Sequence, residues 1–80
     1  MLSENEIRRK IRQKMETGAL TEEQTVWGGP STGMTCAACD EHIQDGDSEV
    51  EVLCVDGRRC FYHASCFLMF TDEREQNGHN

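Results

Sequence analysis

Two pairs of candidate metal ligands constrain this chain more than any other feature: Cys36-Ala37-Ala38-Cys39 and His63-Ala64-Ser65-Cys66, with 23 residues between the pairs. The first pair puts two thiols on one tight turn, and the second does the same for an imidazole and a thiol at a helix start. Together they can close a tetrahedron around one ion. Three thiolates and an imidazole suit zinc, and four protein ligands leave no position for water or substrate, which marks a structural rather than a catalytic site. The expectation is therefore one structural zinc ion held by Cys36, Cys39, His63 and Cys66. At 80 residues the chain buries too little apolar surface to offset chain entropy comfortably without such a staple. Metal binding of about 10–16 kcal/mol in small zinc peptides would dominate its stability.

The other cysteines and histidines admit competing readings. Cys36 and Cys39 form a C-x-x-C that can serve as a redox dithiol, although that chemistry expects a βαβ context which the pattern lacks. Cys60 lies three residues before His63 and can replace it in another ligand register. On the hairpin register expected below it falls on the face opposite His63 and reads as a packed side chain. Cys54 points to the interior and is a reserve ligand. His42 reads as a surface residue, and His79 lies in a polar tail.

The chain divides into four stretches. Residues 1–19 hold an amphipathic basic helix near Glu4 to Thr17, because Ser3 and Glu6 form a capping-box pair and Gly18 supplies a left-handed stop. Ile7, Ile11 and Met15 recur every four residues as a narrow apolar stripe. That stripe must dock on the zinc domain of its own chain, on a second copy or on another protein. Residues 20–35 read as a Gly-rich connecting loop with no strand or helix period. Trp27 in it either anchors the loop or grips a partner, anchoring being the first reading because large aromatics rarely sit in water. Gly28-Gly29-Pro30 is no phosphate loop, since no Lys-Ser/Thr pair follows. Residues 36–76 form the zinc-binding domain, and 77–80 a disordered tail.

Within the zinc-binding stretch, Glu49 to Val55 alternates like a strand. Asp56-Gly57 reads as a two-residue hairpin turn that sets Val55 opposite Arg58, Leu53 opposite Cys60, Val52 opposite Phe61 and Val50 opposite His63. A final helix begins near Ser65, with Phe67, Phe70 and Leu68 turned inward. The expected fold is a small α+β zinc-stabilised domain of zinc knuckle, β-hairpin and C-terminal helix, preceded by the N-terminal amphipathic helix.

The pattern Cys36-x2-Cys39-x23-His63-x2-Cys66, with aromatics before the histidine and Phe67 after the last cysteine, resembles the first zinc module of a LIM domain. More broadly it resembles a treble-clef finger. The resemblance covers residues 36 to about 70. A LIM domain continues with a second module beginning two residues after the fourth ligand, and Met69 stands at that position here. What the resemblance implies is half of a LIM domain and, with it, an adaptor role.

Charge and motifs sort the function classes. The net charge is −7, yet residues 1–17 carry five basic side chains against three acidic ones. The acidic remainder repels polyphosphate, so nucleic-acid binding is reduced to the basic arm of Arg8, Arg9, Lys10 and Arg12. No H-x-E, nucleophilic triad or open-site zinc pattern appears, which argues against an enzyme. No apolar run approaches the roughly 20 residues of a membrane span, and MLSENEIRRK is unlike an export signal, so a soluble, cytoplasmic chain is expected. The leading expectation is a zinc-stabilised module that binds a protein partner, with Ile7, Ile11, Met15 and Trp27 as candidate interaction residues. Nucleic-acid binding and a C-x-x-C redox role are the alternatives.

Overall fold

The computed structural model describes residues 2–77. Its elements run α1 (Glu4–Thr17), β1 (Glu23–Pro30), β2 (Ser48–Cys54), β3 (Arg59–His63) and α2 (Ala64–Asn77). The result is a small α+β fold with a three-stranded antiparallel sheet in the order β1-β2-β3. The expected tail retains Asn77 as the end of α2, and His79 lies outside the described residues.

Helix α1 has the boundaries its caps dictate. The Ser3 hydroxyl accepts from the Glu6 amide at 3.2 Å, the Glu6 carboxylate accepts from the Ser3 amide, and Gly18 closes the other end at φ 80°. The apolar stripe packs at home. Ile11 is 0% exposed within the core, and Ile7 and Met15 pack half-buried against it.

Four of the five α1 cations are also paired with carboxylates elsewhere in the chain. Arg8 and Arg12 both donate to Glu73 of α2, at 2.8 and 3.0 Å, and Lys10 and Lys14 reach Asp40. Glu73 is only 4% exposed. Burial pushes its carboxyl up, but the two guanidiniums hold it below the usual range. This contribution to stability is therefore present above the ordinary glutamate range and is lost as pH falls from there through the lowered value of the folded chain.

The loop expected over 20–35 is corrected at Glu23–Pro30, which forms β1. Its register pairs Val26 with Val52, Trp27 with Glu51 and Gly28 with Val50. An edge strand exposed along nearly its whole length needs no alternation of apolar residues, so it carries no period to read. Pro30 is tolerated because it ends an edge strand. Trp27 on this strand is 46% exposed, beside Val26 at 42%.

The hairpin register differs from expectation by one residue. Glu49 faces His63, Val50 faces Tyr62, Glu51 faces Phe61 and Val52 faces Cys60. The turn is a three-residue loop, Val55-Asp56-Gly57. The Gly57 amide donates to the Cys54 carbonyl at 2.9 Å, Gly57 sits at φ 90°, and the Cys54 amide donates to the Arg58 carbonyl. Asp-Gly supports this turn with a left-handed glycine as readily as the two-residue one. A slip of one residue exchanges faces. Tyr62 and Cys60 therefore share the core side with Val52 and Cys54, while His63 and Phe61 lie on the other side with Glu49 and Glu51.

Tyr62 consequently takes the central place expected of its neighbours. It stacks on Phe70 at 5.7 Å and meets Phe67 edge-on at 5.5 Å. Leu68, expected inward, is 68% exposed.

Ile11→Ala is expected to lower stability by about 2–4 kcal/mol, the cost of emptying a fully buried aliphatic site. Arg9→Ala on the solvent side should stay within about 0.5 kcal/mol. Thermal denaturation followed by circular dichroism separates the two. The Tyr62 hydroxyl is buried with no hydrogen-bond partner among the described residues. Tyr62→Phe should therefore be neutral or raise the melting temperature.

Candidate metal centre

The ligands come from two backbone devices. The first is a turn at the tip of a short ribbon. Thr35 bridges to His42, the Ile43 amide donates to the Met34 carbonyl, and the Cys36 amide donates to the Glu41 carbonyl, each bond at 2.9 Å. Inside it the Asp40 amide donates back to the Cys36 carbonyl, and Asp40 takes φ 68°, a left-handed conformation that Asp tolerates. The second device is the seam between β3 and α2, where His63 is the last strand residue and Cys66 sits in the first helical turn. One backbone bond joins the devices: the Ala37 amide donates to the Phe61 carbonyl at 2.7 Å.

This docking brings together all four residues expected from the spacing. The ligand atoms of Cys36, Cys39, His63 and Cys66 lie within 4.8 Å of one another, with the three cysteines buried. His63 Nδ1 faces the sulfurs, 3.5 Å from Cys39 and 3.8 Å from Cys66, and the His63 amide points at the Cys36 sulfur at 3.5 Å. The cluster is able to hold a metal ion. His63 reaches it from the sheet face opposite to Val52, the reverse of the interior placement expected. The strand end frees it to turn toward the knuckle.

Protonation within the cluster is uneven. A hydrogen bond from the Cys66 thiol, together with the amides of Cys39, His63 and Ala38, lowers the Cys36 thiol despite its burial. The same hydrogen bond and burial push Cys66 up, and burial pushes Cys39 up. Without an ion, Cys36 is the readiest sulfur to ionise, and a cation must displace protons from the other two.

Three further residues shape the site. Lys14 donates to the Ala37 carbonyl at 2.6 Å and to Asp40, and Lys10 donates to the Cys39 carbonyl at 3.3 Å and to Asp40. Helix α1 thus grips the knuckle from behind. The sequence shows the two halves of this grip but not their pairing: Lys10 and Lys14 are four residues apart on one helix face, and Asp40 directly follows the second cysteine. In front of the site, Cys39, His63 and Cys66 border an open cleft of about 370 Å³ that Glu41, His42 and Asp47 also line. Cys54 and Cys60 stand outside the quartet, and His42 is exposed.

Comparison of the chain with protein-family models, with curated proteins and with solved structures gave no match.

Cys39→Ser and Cys66→Ser are each expected to abolish metal retention and collapse the dispersion of heteronuclear NMR spectra, since a lost ligand removes folding free energy with affinity. Cys60→Ser should keep the metal stoichiometry of the parent chain. Metal uptake near neutral pH by the metal-free chain, whose thiols return to ordinary values on unfolding, should release about three protons, from Cys36, Cys39 and Cys66, measurable with a pH indicator in weak buffer. A bound ion keeps its ligands deprotonated below their unfolded values, so the stability it confers is present above those values. That stability should fall as the medium is acidified through the ordinary histidine and thiol ranges. Melting curves with and without chelator across pH should therefore converge toward the acid side.

Proposed function

We propose that the chain is a zinc-stabilised protein-interaction module of the treble-clef kind, resembling the first half of a LIM domain, with the open edge of β1 around Trp27 as its docking surface. The observation that carries this reading is the pairing of a closed Cys3His cluster with an exposed indole on a free strand edge. Three sulfurs and one nitrogen favour zinc among biological divalent ions, and a four-ligand site leaves no position for substrate. The knuckle, hairpin and helix follow one another around the cluster in the order that the resemblance implies. Free backbone groups along β1 can pair with an extended segment of a partner, and Trp27 offers the large amphipathic contact common at interface centres.

The nucleic-acid alternative loses most of its support to the ion pairs of α1. Arg9 is the one Lys or Arg side chain outside a salt bridge among the described residues. A basic arm whose charges are already neutralised offers little to phosphate.

Elemental analysis and native mass spectrometry of the reduced chain should give one zinc per chain, lost on chelation together with the compact charge-state distribution. Trp27→Ala should leave zinc content unchanged and stability within about 0.5 kcal/mol. A photo-crosslinker at position 27, expressed in cells, should label one protein, and the binding constant of that purified partner should weaken at least about tenfold for Trp27→Ala. A folded Trp27→Ala chain that binds its crosslinked partner unchanged would show that the surface lies elsewhere. A large loss of stability would make Trp27 a structural residue.

A further inference from the structure

The five thiols divide into two groups. Three belong to the quartet, and the other two, Cys54 of β2 and Cys60 of β3, have their sulfurs 3.7 Å apart across the hairpin. The observed register produces this pair. Val52 faces Cys60 and Leu53 faces Arg59, so Cys54 and Cys60 stand diagonally on the same sheet face, beside the three-residue turn. The expected two-residue turn would have put them on opposite faces. We propose that Cys54 and Cys60 form a second thiol site, a dithiol that low-molecular-weight disulfides oxidise reversibly to a cross-strand disulfide while the quartet keeps its own sulfurs.

The two partners differ in access. Cys54 is fully buried, whereas Cys60 is partly exposed, so Cys60 is the entry point. Burial and the neighbouring Cys54 push the Cys60 thiol up to about 11. Cys60 therefore rests protonated, and the first step is slow at neutral pH. In that step Cys60, having released its proton to solvent, attacks one sulfur of the small disulfide. The S–S bond breaks and one small thiol departs, leaving a mixed disulfide on Cys60. Cys54 then gives up its proton and attacks the Cys60 sulfur, and the second small thiol leaves with the electron pair of the broken bond. The chain loses two protons and two electrons, a mass of two hydrogens, and the small disulfide becomes two thiols. Closing the bond requires the sulfurs to approach by about 1.7 Å to reach bonding distance, a movement that rotation of the two side chains can supply. A resolving thiol already next to the entry thiol makes the second step intramolecular and fast compared with escape of the mixed disulfide.

The test uses the purified full chain with its metal, incubated with oxidised glutathione. Trypsin cuts at Arg58 and Arg59 between the two cysteines, but it leaves Cys36 and Cys39 on the peptide of Cys54 and Cys66 on that of Cys60. A protease that cleaves before aspartate and chymotrypsin are therefore added: cuts before Asp47 and after Phe61 put Cys54 and Cys60 each on a peptide without the quartet's cysteines. The expected result is an intact mass lower by two hydrogens, a Cys54–Cys60-linked peptide pair in the combined digest, unchanged metal content, and full reversal by a reducing agent. Cys54→Ser should instead accumulate one glutathione on Cys60, because the resolving thiol is gone. No mass loss in the parent chain, a crosslink that forms first among Cys36, Cys39 and Cys66, or a Cys54→Ser chain left unmodified would each overturn the proposal.

Discussion

The structure depends on one convergence: a turn carrying Cys36 and Cys39 meets the strand-to-helix seam carrying His63 and Cys66, and a single amide-to-carbonyl bond from Ala37 to Phe61 sets their relative position. Three of the other described elements either build one of these two devices or hold them together. The hairpin of β2 and β3 delivers the seam, α2 roofs it with Phe67 and Phe70 against Tyr62, and α1 closes the back of the knuckle. With so few buried residues, an ion at the convergence would act on all of these contacts at once.

Electrostatics complements that packing in a specific way. Two carboxylates, Glu73 and Asp40, each receive two cations from α1. One fixes the helix to α2 and the other to the knuckle, so the basic side of α1 is consumed as an internal fastening. Exposed ion pairs contribute little each. Here Glu73 is buried and Lys14 also serves a knuckle carbonyl, so the pairs set the helix orientation in addition to any energy they add.

The sequence revealed local devices and left longer-range ones hidden. The ligand quartet was legible because metal-ligand spacing is a covalent-distance constraint, and α1 was legible to its caps because Ser3, Glu6 and Gly18 act within one turn. Strand β1 was invisible, since an exposed edge shows no hydrophobic alternation and its Gly-Gly-Pro end imitates a loop. The hairpin register turned on one left-handed glycine shared by two turn types, and choosing the shorter turn exchanged Tyr62 for His63 as the inward residue. The fastening of Lys10 and Lys14 to Asp40 joins positions about 26–30 residues apart, beyond the reach of local pattern reasoning.

The free edge of β1 carries a consequence for how copies of this chain meet one another. An open strand edge is a template for like-with-like pairing, and natural sheets commonly guard such edges with charge. The guard here is global: nearly every cation is committed to an internal pair, so the surplus carboxylates face outward and two chains approach as two polyanions. That repulsion is strong in dilute buffer and fades beyond about 10 Å at 0.1 M salt. Edge-to-edge association of this protein should therefore strengthen as salt is added, the opposite of the behaviour of a phosphate-binding protein.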